Sequence, residues 1–188
     1  MTRICTRDGI ELAYESMGPE DAPPVILIMG LGAQMHVWPT SLCQRIVDAG
    51  FRVIRFDNRD TGASTSLDEH GNPSLIRVWL GRRLNRKPRV PYTLKDMSRD
   101  VVALMDELGL PSAHLIGASM GGMIAQILAA KKRKRVRSLT SIMSSASAPK
   151  VPVSQLQVML KLARRPLQRN RDEHFRYITR MSEVIGSP

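Results

Sequence analysis

The chain has 188 residues, 43% of them hydrophobic and 24% charged, which is enough for one domain with a sizeable core and ordinary for a soluble globular protein. No apolar stretch reaches the roughly 18 residues of a membrane span, and the N-terminus lacks a signal-peptide series, so a cytoplasmic protein without membrane contact is expected. Lys and Arg exceed Asp and Glu, 28 to 17, for a formal charge of +11; the basic clusters Arg82–Arg89 and Lys131–Arg137 fall in expected connections without interleaved aromatics, which argues against specific nucleic-acid binding.

Cys5 and Cys43 sit in no metal or redox spacing and are expected to be reduced. Arg3 to Arg7 and Ile10 to Glu15 read as two strands joined by an Asp8-Gly9 turn, a hairpin that opens the sheet. Val25-Ile26-Leu27-Ile28-Met29 is a continuous aliphatic run of the sort buried on both faces in parallel sheets. It runs into Gly30-Leu31-Gly32-Ala33, a glycine-rich loop at the carboxyl end of a strand, where open α/β sheets place ligands.

Pro39 to Ala49 is expected to be helical and Phe51 to Phe56 a strand, followed by the polar turn Asp57 to Ser64. A long irregular stretch then runs to about Pro91, with a helical turn allowed within Leu75 to Leu84. Thr93 starts a helix with a capping-box partner at Asp96 and an apolar face of Leu94, Met97, Val101, Leu104, Met105 and Leu108. Ala113 to Ile116 is a strand, Met123 to Ala130 a helix, and Val136 to Ile142 a further strand. This alternation implies a mostly parallel sheet with helices on both faces. The pattern changes near Ala148, and two amphipathic segments, Ser154 to Arg164 and Arg171 to Val184, read as an accessory helical layer. The expected division is therefore 1–148 and 149–188.

Between the fifth strand, Ala113 to Ile116, and its helix lies Gly117-Ala118-Ser119-Met120-Gly121-Gly122. G-x-S-x-G between strand and helix is a nucleophile elbow, in which small residues allow a turn tight enough to lift a serine hydroxyl above the sheet. A serine hydroxyl is a weak nucleophile at neutral pH and needs a histidine base, an orienting acid and donors for the oxyanion. The backbone N–H groups of Met120 and Leu31 are the candidate donors. A dinucleotide fingerprint fails at Met35, and no phosphate-binding Lys-Ser/Thr pair follows.

Met29-Gly30-Leu31-Gly32, Phe56 to Ser64 and Gly117 to Met123 together resemble the α/β-hydrolase superfamily, and within it the aclacinomycin methylesterase-like group. The resemblance covers 1 to about 148 and, loosely, a lid-like remainder. It implies an esterase of carboxylic esters, with Ser119 as nucleophile, the Leu31 and Met120 amides as oxyanion hole, and neither metal nor organic cofactor. Met29 stands where most members have histidine, and Asp60 where most have glycine.

Such enzymes run in the order nucleophile, acid, histidine. Here His36, His70 and His114 precede the elbow and His174 falls in a lid-like segment; His114 reads as a core residue, and Asp57 and Asp60 read as turn-capping residues. The expectation is thus an incomplete hydrolase, lacking the triad acid, the histidine and the last strands. The alternative is an inactive remnant or interaction protein with a basic surface. The strand ending at Ile142 would be left as an edge open to self-association. Met29, Met35, Met120, Met123 and Met143 either form an adaptable pocket for a bulky apolar ester or are ordinary core residues.

Overall fold

Asp8 and Gly9 fold the N-terminus back on itself: Gly9 takes φ +75, its N–H donates to the Thr6 carbonyl at 3.0 Å, and Thr6 N–H donates to Ile10 at 2.8 Å. The strands flanking this turn are β1 (Thr2–Cys5) and β2 (Glu11–Met17), paired antiparallel. The computed structural model describes residues 2–6, 8–67 and 90–145. By its contacts the chain divides into Met1–Ala146 and Ser147–Pro188, and the second unit lies outside the described residues. The two expected lid segments, His70, His174, the Leu75 to Leu84 turn and the Arg82–Arg89 cluster lie outside them as well.

The aliphatic run forms β3 (Pro24–Ile28), every residue of which is buried. The strand after the first helix is β4 (Arg52–Phe56), also buried throughout. With β5 (Ala113–Ala118) and β6 (Val136–Ile142) the order is β1-β2-β4-β3-β5-β6. The β1/β2 and β2/β4 pairs are antiparallel and the rest parallel, so this is the expected mostly parallel α/β sheet with an antiparallel edge.

Side chains alternate across a strand, so β3 feeds both faces. Ile26 and Ile28 join Ile54, Phe56 and Leu115 under the helices α2 (Leu94–Glu107) and α3 (Met120–Lys131). On the other face Val25, Leu27 and Val53 meet Trp38 and Cys43, the latter on α1 (Thr40–Asp48). Helix α2 begins as its sequence indicates: Thr93 N–H donates to Asp96 Oδ2 at 2.8 Å in a capping box. Helix α3 starts at Met120, three residues before the expected Met123, because its small N-terminal glycines fit directly against β3 and β6.

Candidate active site

The parallel strands β3 and β5 are neighbours, with Ile28 in register with Gly117, so the loops that follow them leave the same edge of the sheet. After β5 the backbone turns at Ser119, whose φ is +53 and ψ −119. An L-residue rarely adopts this conformation, which costs about 1–3 kcal/mol. The turn is fixed from both sides: Ser119 N–H donates to the Ile142 carbonyl at 2.8 Å, and the Ser119 carbonyl accepts Gly122 N–H at 3.0 Å. The serine itself is exposed.

Each glycine around the elbow has its own reason for lacking a Cβ. At Gly117 a Cβ would enter the Gly121 backbone. One at Gly121 would strike the Ile28 carbonyl on β3, so Gly117 makes room across the turn, whereas Gly121 serves helix-to-sheet contact. At Gly122 a Cβ would come within 2.6 Å of Ser144 Cβ, beyond β6. Gly30 faces Ser119 itself, since a Cβ there would lie 3.1 Å from Ser119 Cβ.

The candidate oxyanion donors flank this contact. Leu31 follows Gly30 in a turn closed by Ala33 N–H to the Gly30 carbonyl at 3.4 Å, with Gly32 at φ +67. Leu31 is 65% exposed. Met120 is the first residue of α3, where N–H groups have no intrahelical acceptor and the helix dipole favours an anion. A short 3-10 turn, Met35–Val37, which the sequence pattern did not indicate, then leads to α1.

The two described histidines are committed elsewhere. His36 Nε2 lies 3.2 Å from Glu15 Oε1, and His114 Nδ1 lies 2.7 Å from Ser138 Oγ. His114 is half-buried and edge-on to Phe51, so it links β5 to β6 rather than filling the core. Its partner sits directly opposite in the β5/β6 register, which the strand pattern alone does not reveal.

Asp57 and Asp60 also depart from simple turn-capping. Asp57 Oδ2 accepts Ala63 N–H at 2.9 Å within the turn, but Oδ1 accepts Met35 N–H at 2.7 Å, reaching the loop after β3. Asp60, at φ +67, accepts Leu67 N–H at 2.9 Å and the Tyr92 hydroxyl at 3.1 Å. Neither carboxylate bonds a histidine among the described residues.

Charged groups support the rim from beneath. Glu15 and Arg55 face each other across β2 and β4, with Arg55 Nη2 donating to Glu15 Oε2 at 2.7 Å. That hydrogen bond holds the Glu15 carboxyl below its ordinary value. Arg59 donates through Nε and Nη2 to both Asp100 oxygens at 2.7 and 2.6 Å, a buried fork that joins the β4 turn to α2. Burial pushes the Asp100 carboxyl up while Arg59 pulls it back. Sequence reasoning passed over this pair, yet Asp100 falls between Met97 and Val101 on the apolar stripe of α2, and a carboxylate in such a stripe signals a buried partner.

The methionines divide. Met29 and Met35 are buried in the core, Met120 and Met123 are half-buried, and Met143 is 73% exposed beyond β6. Among the described residues no three His, Cys, Asp or Glu side chains are grouped to hold a metal ion, and no helix is long and apolar enough to cross a membrane.

Residues 23–176 match the family model of the alpha/beta hydrolase fold. The chain is 31% identical over 145 residues to a rhodomycin D methylesterase of Streptomyces peucetius, covering 77% of this chain and 43% of that protein. It is 27% identical over 143 residues to 3-oxoadipate enol-lactonase 1 of Acinetobacter baylyi, covering 76% of this chain and 45% of that protein. It thus spans less than half the length of either relative. The crystal structure of a hydrolase from Pseudomonas aeruginosa PA01 superposes with a TM-score of 0.67 at 26% identity, over 100% of this chain and 62% of that one.

Proposed function

The chain belongs to the alpha/beta hydrolase fold family, and from that premise we propose that it is a serine hydrolase of carboxylic esters. The observation that carries the reading is the strained, exposed Ser119 at a strand-to-helix turn, with Gly30 of the neighbouring loop packed against it. The Ser119 hydroxyl attacks the ester carbonyl carbon as its proton passes to a histidine base. The resulting oxyanion is held by the N–H groups of Leu31 and Met120; collapse expels the alcohol, and water then releases the acid from the acyl-enzyme. Residues 1–148 form the catalytic core in this reading, and 149–188 begin a lid.

In this reading the base and its acid come from outside the described residues, because His36 bonds Glu15, His114 bonds Ser138 and neither bonds Ser119. Removing that base and acid would leave only binding and the oxyanion donors, and turnover would fall by orders of magnitude. The exposed Leu31 and Met143, with Met120 and Met123, support a bulky apolar acyl or alcohol group. The engagement of both described histidines favours a second reading, an interaction protein that keeps the elbow without its base and offers a basic surface. A chromogenic apolar ester separates the two. Hydrolysis that disappears in Ser119→Ala supports the esterase, and identical background rates in both proteins support the second reading.

A further inference from the structure

We propose that Asp57 and Asn58, assisted by Arg55, are positioning residues that fix the loop from Met29 to Trp38 and thereby aim the Leu31 amide at Ser119. The inference rests on the hydrolase reading for what the amide does, and on hydrogen bonds alone for what holds it.

Within one stretch at the carboxyl end of β4, three side chains reach three points of that loop. Asn58 Nδ2 donates to the Met29 carbonyl at 2.9 Å, Asp57 Oδ1 accepts Met35 N–H at 2.7 Å, and Arg55 Nη1 donates to the Trp38 carbonyl at 2.6 Å. The three residues are 3%, 1% and 5% exposed. The loop has little backbone pairing of its own: the Gly30–Ala33 turn, and the 3-10 bonds from Val37 N–H to Gln34 at 3.0 Å and Trp38 N–H to Met35 at 3.1 Å. Buried backbone groups must find partners, and at Met29, Met35 and Trp38 those partners are side chains of β4 and of the turn that follows it.

The arrangement bears directly on the Leu31 amide. Holding the Met29 carbonyl sets the plane of the Met29–Gly30 peptide, and Gly30 is already pressed against Ser119. The next peptide carries the Leu31 N–H, and the turn to Ala33 leaves it few orientations.

Asp57 is itself held from several directions. Its second oxygen accepts Ala63 N–H, its N–H donates to Ala13 at 2.9 Å, and its carbonyl accepts the Ser64 hydroxyl at 2.6 Å. A Cβ at Gly62 would enter the Asp57 carboxylate, so the turn is shaped around that group. Arg59, one residue beyond Asn58, anchors the same stretch to α2 through Asp100. A donor held by such a second layer loses little orientation freedom when charge develops on the substrate.

The test uses the full chain with Asn58→Ala and the isosteric Asp57→Asn, the latter in case the smaller residue prevents folding. Two quantities are read: amide hydrogen exchange in peptides spanning 29–38 and 113–118, and labelling of Ser119 by a fluorophosphonate. In labelling, the Ser119 oxygen bonds phosphorus, fluoride leaves and the hydroxyl proton is released, with an anionic oxygen seated where the oxyanion would be. Removing a single oxyanion donor costs about 100-fold to 1000-fold, so misaiming one should cost about tenfold or more. The expected result is at least about tenfold faster exchange in 29–38 with 113–118 unchanged, and a similar fall in the maximal labelling rate with reagent affinity retained. Exchange that rises equally in both peptides, or in neither, overturns the tether. Faster loop exchange with an unchanged labelling rate overturns the aiming of the Leu31 amide. Wild-type labelling no greater than that of Ser119→Ala overturns the hydrolase reading instead, and leaves the exchange comparison to decide the tether.

Discussion

Ser119, Asp60 and Met143 are the non-glycine residues with positive φ among those described, and they follow β5, β4 and β6 at the same end of the sheet. Backbone strain is thus gathered on the carboxyl rim, where the candidate chemistry sits. Relief of that strain is measurable. Ser119→Gly should raise unfolding stability by about 1 kcal/mol, the strain lost exceeding the extra unfolded-state entropy of glycine; a lower urea midpoint with the slope unchanged would refute the strain argument. At the buried fork between Arg59 and Asp100 the sign reverses. Asp100→Ala leaves a guanidinium without its carboxylate and should cost about 3–5 kcal/mol, whereas Arg59→Met with Asp100→Leu should cost much less. A double variant as unstable as Asp100→Ala would show that the unpaired charge is not the source.

Helix α2 carries the clearest link from local sequence to element stability. Its Thr93 hydroxyl donates to Asp96 at 2.6 Å, and this bond, first among several, holds the Asp96 carboxyl below its ordinary value. A depressed carboxyl contributes stability that is present above the unfolded value of 3.8 and is lost as pH falls through the lower folded one. Glu15 behaves in the same way relative to 4.5 through Arg55. Thr93→Ala should therefore cost about 1 kcal/mol near neutrality, and the gap to wild type should narrow as pH drops below the ordinary aspartate range. Urea titrations at neutral and acidic pH check this, and a gap independent of pH would remove Asp96 from the explanation.

At the scale of the molecule, β6 is an edge strand among the described residues and exposes Leu139 and Ile142, each 38%, ahead of Met143. An edge with apolar side chains invites pairing with another strand. The charge of +11 opposes such contact between copies at low salt, and screening weakens that opposition as the Debye length falls from about 30 Å at 0.01 M to 8 Å at 0.15 M. Sedimentation velocity should show association that rises with salt and is suppressed in the pair Leu139→Lys and Ile142→Lys. Equal association in both proteins would move the contact away from β6. The neighbouring basic run is only partly spent within the fold: Arg135 pairs with Asp106 at 2.7 Å and Arg137 donates to Ser112 at 2.9 Å, while Lys131, Lys132, Arg133 and Lys134 are exposed.

Sequence by itself determined the α/β class, the central strands, the hairpin, the Thr93 cap and the elbow, because each is written in local terms: an unbroken aliphatic run, a turn dipeptide, a capping pair, glycines spaced about a serine. It also marked Leu31 and Met120 as candidate donors through their places after a strand and before a helix. Tertiary structure alone decided which groups meet across the chain. Asp57 reaches Met35, His114 meets Ser138, and Arg59 takes both oxygens of Asp100, pairings separated by 22, 24 and 41 residues. No periodicity encodes such separations; strand order and register bring the groups together. The same holds for the glycines: the spacing of Gly117, Gly121 and Gly122 named the turn, but only the packing of α3 on β3 and β6 showed which backbone or side chain each missing Cβ makes room for.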